Sequence, residues 1–141
     1  MMKPIYTAEV KTAGDRKGGK SQSTDGKFSV ELSMPTELGG AGGTGTNPEQ
    51  LFAAGYSACF ASAIGAVGGK AGKNTHGVEV TAHVSIGKKD DGEGFALAVK
   101  LQVHLPNVSK EEAEQLVADA HKICPYSNAT RNNIPVELSI V

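Results

Sequence analysis

Four residues in this 141-residue chain are of types that can do chemistry together: Cys59, Cys124, Arg16 and Glu49. Cys59 sits in the middle of NPEQLFAAGYSACFASAIGAVGG (47–69), a run whose single charge is Glu49. A thiol in apolar surroundings is normally inert, because burial raises its pKa and the thiolate is the nucleophile. Three features set redox chemistry against that reading. Only two arginines, Arg16 and Arg131, stand against twelve lysines, and Arg16 lies in a glycine-flanked, flexible loop. A guanidinium stays charged when desolvated and has enough donors to hold a carboxylate and a thiolate at once. Glu49, at a helix N-terminus, can complement the macrodipole or orient an arginine. Cys124 precedes Pro125 at the end of a predicted helix, where a second thiol can condense with a sulfenic acid to give a disulfide. The residues alone leave both inert core and redox pair open.

Composition narrows the classes. A formal net charge of −1 with mixed signs offers no surface for nucleic acid or acidic lipid. The opening MMKPIYTAEV lacks the apolar centre of a signal peptide, so a cytoplasmic location is expected. Two cysteines are too few for a disulfide scaffold, and no CxxC or His-rich spacing suggests zinc. No metal site is expected, and His76, His83, His104 and His121 fall mostly on polar faces. The uncharged run has the length of a membrane helix, about 20 residues. Its Ala, Gly and Ser content and its lack of basic and aromatic anchors favour instead a soluble helix buried on nearly all sides.

The elements that must position these residues can be read in order. Alternation at Tyr6, Ala8 and Val10 predicts a first strand, followed by a Gly- and Lys-rich loop from Ala13 to Lys20. Asp25-Gly26 signals a hairpin turn, and Phe28, Val30, Leu32 and Met34 alternate with polar residues in a half-buried strand that Pro35 ends. GGAGGTG (39–45) lacks the P-loop ending and the dinucleotide spacing, so it is expected to be a loop needing unusual backbone angles. Asn47 is a candidate N-cap with Pro48 at the first helical position, and the helix is expected to run to about Val67, stopped by Gly68-Gly69. Gly55, Ala58, Ser62 and Gly65 would form one small-residue face that a second helix could approach closely. Two alternating runs, Val78 to Ile86 and Phe95 to Leu105, predict an antiparallel hairpin. Ser109 to Glu112 is a capping box opening a helix that Pro125 closes, and Val136, Leu138 and Ile140 make a last strand. The order β-β-β, long helix, β-β, helix, β gives a single α+β domain over residues 1–141, with antiparallel sheets at both ends around a long buried central helix.

At this point two strings carry a resemblance. TNPEQLFAAGYSACF (46–60) and ICPYSNATRNN (123–133) are similar to the two cysteine motifs of the organic hydroperoxide resistance proteins, the thiol peroxidase branch of the osmotically inducible protein family. PTELGGAGGTGTNPEQ and the Asp-Gly hairpin match as well, so the resemblance covers nearly the whole chain. It implies the fold of that family in an intertwined homodimer, with two interfacial sites and the long helices at its centre. It implies a peroxidase that prefers organic hydroperoxides to hydrogen peroxide and needs no cofactor. Dihydrolipoamide or a lipoylated protein, rather than thioredoxin, would be its reductant. By position Cys59 would be the peroxidatic cysteine, Cys124 the resolving one, Glu49 the matching carboxylate and Arg16 the loop arginine. The loop is one residue longer than usual between Arg16 and Asp25-Gly26, and Lys17 stands where the family commonly has Asp, Glu or Asn.

Phe52, Tyr56 and Phe60 are candidates for an apolar pocket that would admit an alkyl chain. On one continuous helix Glu49 and Cys59 lie ten residues, or about 15 Å, apart along the axis. An arginine cannot easily touch both, so either each site draws on both chains or the helix starts later than its capping pattern. Rival functions are a non-enzymatic thiol switch, which needs the cysteine pair but no turnover, and a broader-range peroxidase of the osmotically inducible branch.

Overall fold

The computed structural model describes residues 2–141. They form two compact units, one ending at Leu51 and the other spanning Phe52–Val141.

The first unit is built on a three-stranded antiparallel sheet, β1 (Val10–Ala13), β2 (Lys20–Ser23) and β3 (Ser29–Glu31), in that order. The alternation at Tyr6 to Val10 does not become a strand. Residues 6–9 have no regular structure, and pairing begins only where β2 is there to receive it, from Val10↔Ser23 to Ala13↔Lys20. Strand identity here is set by the partner and not by the local pattern. The Asp25-Gly26 turn forms as expected, with Gly26 at φ 74°. Ser23 stitches it by donating to Asp25 Oδ1 (2.6 Å) and accepting the Phe28 N–H (2.9 Å). Behind it Phe28, Val30, Leu32 and Met34 turn inward while Ser29 and Glu31 stay exposed. The glycine loop does need its glycines: Gly39, Gly42 and Gly43 all have positive φ.

Helix α1 (Pro48–Ala71) starts where the capping pattern places it, with Asn47 Oδ1 accepting the Gln50 N–H at 2.9 Å. It runs past Gly68-Gly69, contrary to the sequence expectation. Gly68 is a packing feature and not a stop, since a Cβ there would lie 2.3 Å from Thr75 Cγ2. The stop is Gly72 at φ 67°, closed by Gly72 N–H to Gly69 O (3.3 Å) and Lys73 N–H to Gly68 O (2.9 Å), a Schellman cap. Nor is the helix buried all round. Tyr56, Phe60, Ala63, Ile64 and Gly68 are buried, whereas Ala54, Ala58, Ser62 and Ala66 form an exposed small-residue stripe at four-residue spacing.

The second unit holds β4 (Glu79–Lys88) and β5 (Phe95–His104), the expected antiparallel hairpin, with Val80↔Val103, Ala82↔Leu101 and Val84↔Val99 paired on one face. The last strand, β6 (Val136–Ile140), lies parallel to β5, so this sheet is mixed and not purely antiparallel. The crossover that a parallel connection requires contains α2 (Lys110–Ile123) and α3 (Pro125–Thr130). Ser109 and Glu112 make both bonds of the capping box. α3 is absent from the sequence reading, because Pro125 stops one helix and is also the first residue of the next. Tyr56, Phe60 and Ile64 pack with Val99, Leu101 and Val103 of β5 and with Leu116, Val117 and Ala120 of α2. Each large apolar side chain fully buried in this cluster contributes about 1.5–3 kcal/mol.

Candidate active site

The four chemistry-bearing residues form two pairs, one in each unit. Arg16 belongs to the first. The segment that carries it is a tight β1–β2 turn, not the flexible loop its composition suggests. Asp15 Oδ1 accepts the Lys17 N–H (2.8 Å) and the Asp15 carbonyl accepts the Gly19 N–H (2.7 Å). Only glycine fits at position 19, where a Cβ would lie 2.7 Å from the Ala13 carbonyl oxygen. From this turn the guanidinium reaches Glu49 on the first turn of α1. Nη2 donates to Oε1 at 2.9 Å and Nη1 to Oε2 at 3.2 Å. The side chains are 30% and 12% exposed, so the pair is partly withdrawn from water. A two-bond fork fixes the guanidinium plane and leaves three of its five N–H donors for another partner.

Cys59 and Cys124 form the second pair. Both are free thiols, Cys59 half-buried and Cys124 fully buried. Cys124 and the Tyr126 backbone N–H are the neighbours that act on the Cys59 sulfur. Burial, then the neighbouring Cys124, push the Cys59 thiol above its ordinary pKa, and the Tyr126 amide pulls the other way. Cys124 occupies a junction as C-cap of α2 and N-cap of α3, in extended backbone. Its N–H bonds the Ala120 carbonyl and its carbonyl accepts the Asn128 N–H, both at 2.9 Å. The backbone of Cys124 is thereby pinned on both sides.

Of the three pocket candidates, Tyr56 and Phe60 are completely buried, and only Phe52 reaches the surface. Tyr126, which the sequence reading missed, completes an aromatic cluster. Its ring centroid lies 5.6 Å from that of Tyr56 and 6.0 Å from that of Phe52. Gly55 belongs to this cluster rather than to the open stripe of α1, since a Cβ on it would lie 2.3 Å from Tyr126 Oη. His121 was also misplaced by its polar context. It is half-buried, its Nδ1 is 2.8 Å from Ser127 Oγ, and burial followed by the Arg131 charge lowers its pKa. The signal for this cluster was present in CPYSNAT: serine and threonine three residues apart behind a helix-opening proline share one helical face.

Paired thiols at a helix junction, with a forked Arg–Glu pair at the start of α1, can be compared with known proteins. Residues 40–139 match the family described as OsmC-like protein. The chain belongs to the OsmC family. Within it, this OsmC-family chain is 47% identical over 138 residues to the organic hydroperoxide resistance protein of Xanthomonas axonopodis pv. citri, covering 98% of this chain and 96% of that one. It is equally similar in structure to an organic hydroperoxide resistance protein from Legionella pneumophila, with a TM-score of 0.91, 48% identity and 98% of each chain covered. The organic hydroperoxide resistance protein OhrB of Bacillus subtilis gives a TM-score of 0.90 at 40% identity, over 98% of this chain and all of that one. The α+β architecture and the organic hydroperoxide resistance branch are thereby established.

Proposed function

We propose that this OsmC-family protein is a cysteine-based peroxidase that reduces organic hydroperoxides to alcohols. The observation that carries this reading is that two free thiols on separate elements are neighbours, Cys59 on α1 and Cys124 at the α2–α3 junction. The Cys59 thiolate attacks the distal peroxide oxygen, the O–O bond breaks, and the alkoxide leaves as alcohol after taking up a proton. Cys59 becomes a sulfenic acid. The Cys124 sulfur then displaces its hydroxyl, which leaves as water with the Cys124 proton, and a disulfide forms. A small dithiol such as dihydrolipoamide, free or carried on a lipoylated protein, reopens it by exchange. No step needs a cofactor.

Thiolate formation needs help, because within one chain Cys59 is pushed towards the neutral thiol. The forked guanidinium of Arg16, with Glu49 fixing its plane, is suited to stabilise the thiolate and the charge developing on the peroxide oxygens. α1 is continuous from Pro48, so Glu49 and Cys59 are separated by about 15 Å of helix axis. α1 does not start late, and the site draws on both chains: the Arg16–Glu49 pair of one protomer serves Cys59 of its partner. The exposed stripe Ala54, Ala58, Ser62 and Ala66 supports a homodimer packed along α1. Phe52 and Tyr126 favour an alkyl substituent over hydrogen peroxide.

A steady-state assay tests the proposal by comparing cumene or fatty-acid hydroperoxide with hydrogen peroxide, and dihydrolipoamide with thioredoxin. Turnover of organic hydroperoxides with dihydrolipoamide is expected. Turnover with hydrogen peroxide alone overturns the substrate class, and disulfide formation without turnover leaves a thiol switch.

A further inference from the structure

Beside the thiols lies a chain of polar groups that the peroxidase chemistry above does not use. His121 Nδ1 is 2.8 Å from Ser127 Oγ, and Ser127 Oγ is 2.9 Å from Tyr56 Oη. Tyr56 Oη is 3.1 Å from Thr130 Oγ1, which donates to the Ser127 carbonyl at 3.3 Å. Tyr56 and Ser127 are fully buried and Thr130 is 3% exposed.

Each hydroxyl carries one proton, so the carbonyl, which can only accept, sets every direction. Thr130 spends its proton on the carbonyl, and Tyr56 must therefore donate to Thr130. Ser127 must donate to Tyr56, which leaves His121 Nδ1 as the donor to Ser127. The chain runs one way, from the imidazole N–H to the peptide oxygen, and requires a proton on Nδ1. Protonating Nε2 would leave that donor in place.

The members are placed where a positioning device would be. Tyr56 is three residues before Cys59 on α1, His121 is three before Cys124 on α2, and Ser127 is three after Cys124 on α3. Each is one helical turn from a thiol. Arg131 holds the same junction from outside, donating to the His121 carbonyl and to Asn128 Oδ1.

We propose that Tyr56, Ser127 and His121 are positioning residues for disulfide formation, their one-way hydrogen-bond chain holding the Cys124 segment against α1 so that its thiol meets the Cys59 sulfenic acid. The proposal rests on the peroxidase reading. In that step the Cys124 S–H and Cys59 S–O bonds break, an S–S bond forms and water leaves. The competing step is attack of the sulfenate on a second hydroperoxide, giving a sulfinic acid and an alcohol. A looser junction shifts the partition towards the sulfinic acid.

Tyr56→Phe removes the central hydroxyl and keeps the ring, and Ser127→Ala removes the node next to it. In single-turnover reaction with cumene hydroperoxide, either variant should form disulfide about five- to tenfold more slowly, the scale of one lost buried hydrogen bond. In Ser127→Ala, sulfenic acid formation, trapped with a cyclic dione, should be unchanged, and in both variants the sulfinic acid yield should rise. Two measurements stand apart from peroxidase activity. Imidazole ¹⁵N resonances of the wild-type protein should show His121 protonated at Nδ1, and a neutral Nε2–H tautomer overturns the chain. The equilibrium of the Cys59–Cys124 disulfide against dithiothreitol should shift towards dithiol in both variants. Unchanged disulfide rate, sulfinic yield and equilibrium overturn the positioning role. If wild-type protein forms no sulfenic acid with any hydroperoxide, the peroxidase reading fails instead.

Discussion

Replacing Gly55 by alanine sets two effects of known sign against each other. In an α-helix interior the change is worth about 1 kcal/mol in favour of alanine. Against it stands the space at this position. A Cβ on residue 55 would lie 2.3 Å from Tyr126 Oη, 2.8 Å from its Cζ and 3.2 Å from its Cε2. Ordinary contact begins at about 3.5 Å, so the phenol must retreat by about 1 Å. It cannot do so alone, because its ring lies edge-on to Phe52 and tilted against Tyr56. Overpacking of this kind costs about 1–3 kcal/mol. The sum for Gly55→Ala runs from neutral to about 2 kcal/mol destabilising. Gly65, nearly three helical turns further on, is the control: among the described residues no atom beyond its own stretch of helix lies within 4 Å of its Cβ position, so Gly65→Ala should stabilise one chain by about 1 kcal/mol. Urea unfolding midpoints of both variants, measured on reduced protein at one fixed concentration, give the comparison. Gly55→Ala rising as far as Gly65→Ala would refute the packing argument. A loss at Gly65 would assign its face of α1 to a contact between protomers.

Cys124→Ser should complete one reduction of hydroperoxide but lose multiple turnover with dihydrolipoamide; full steady-state activity would remove the resolving role. Arg16→Ala should slow peroxide attack at least about tenfold more than Arg16→Lys if charge is the main contribution, and equal losses in stopped-flow rates would assign the effect to the fork geometry. In the same Arg16→Ala variant the pH midpoint for alkylation of Cys59 should lie above the ordinary thiol range, because burial and Cys124 then act unopposed by a cation. His121 makes a pH prediction whose sign is fixed. Its folded pKa is below the unfolded value of 6.5, so its contribution is present above that pH and is lost as pH falls through the folded value. His121→Asn should flatten the decline of the urea midpoint below pH 6.5. Ala58→Arg, on the exposed stripe, should give a monomer in sedimentation velocity and lose activity; an active dimer would move the interface elsewhere.

Local chemistry was legible in the sequence wherever a feature depends on neighbours a few residues away. Asn47 and Ser109 cap their helices, Asp25-Gly26 turns its hairpin, and the period-two runs pair in β4 and β5, because each needs only its own segment to be correct. The sequence also singled out the four residues that become two pairs. Contacts set by distant segments were not legible. β1 starts at Val10 because β2 is its partner, and β6 runs parallel because α2 and α3 carry the chain across the sheet. Gly55 and Gly68 look like a packing stripe and a helix stop, yet each is shaped by one side chain far along the chain or past the helix end, Tyr126 and Thr75. The Tyr56–Ser127 bond spans 71 residues, and no spacing rule reaches that far. Residue type decided which chemistry was possible here; only the folded core, by excluding water from Tyr56, Ser127 and Cys124, decided which of those groups must bond to one another.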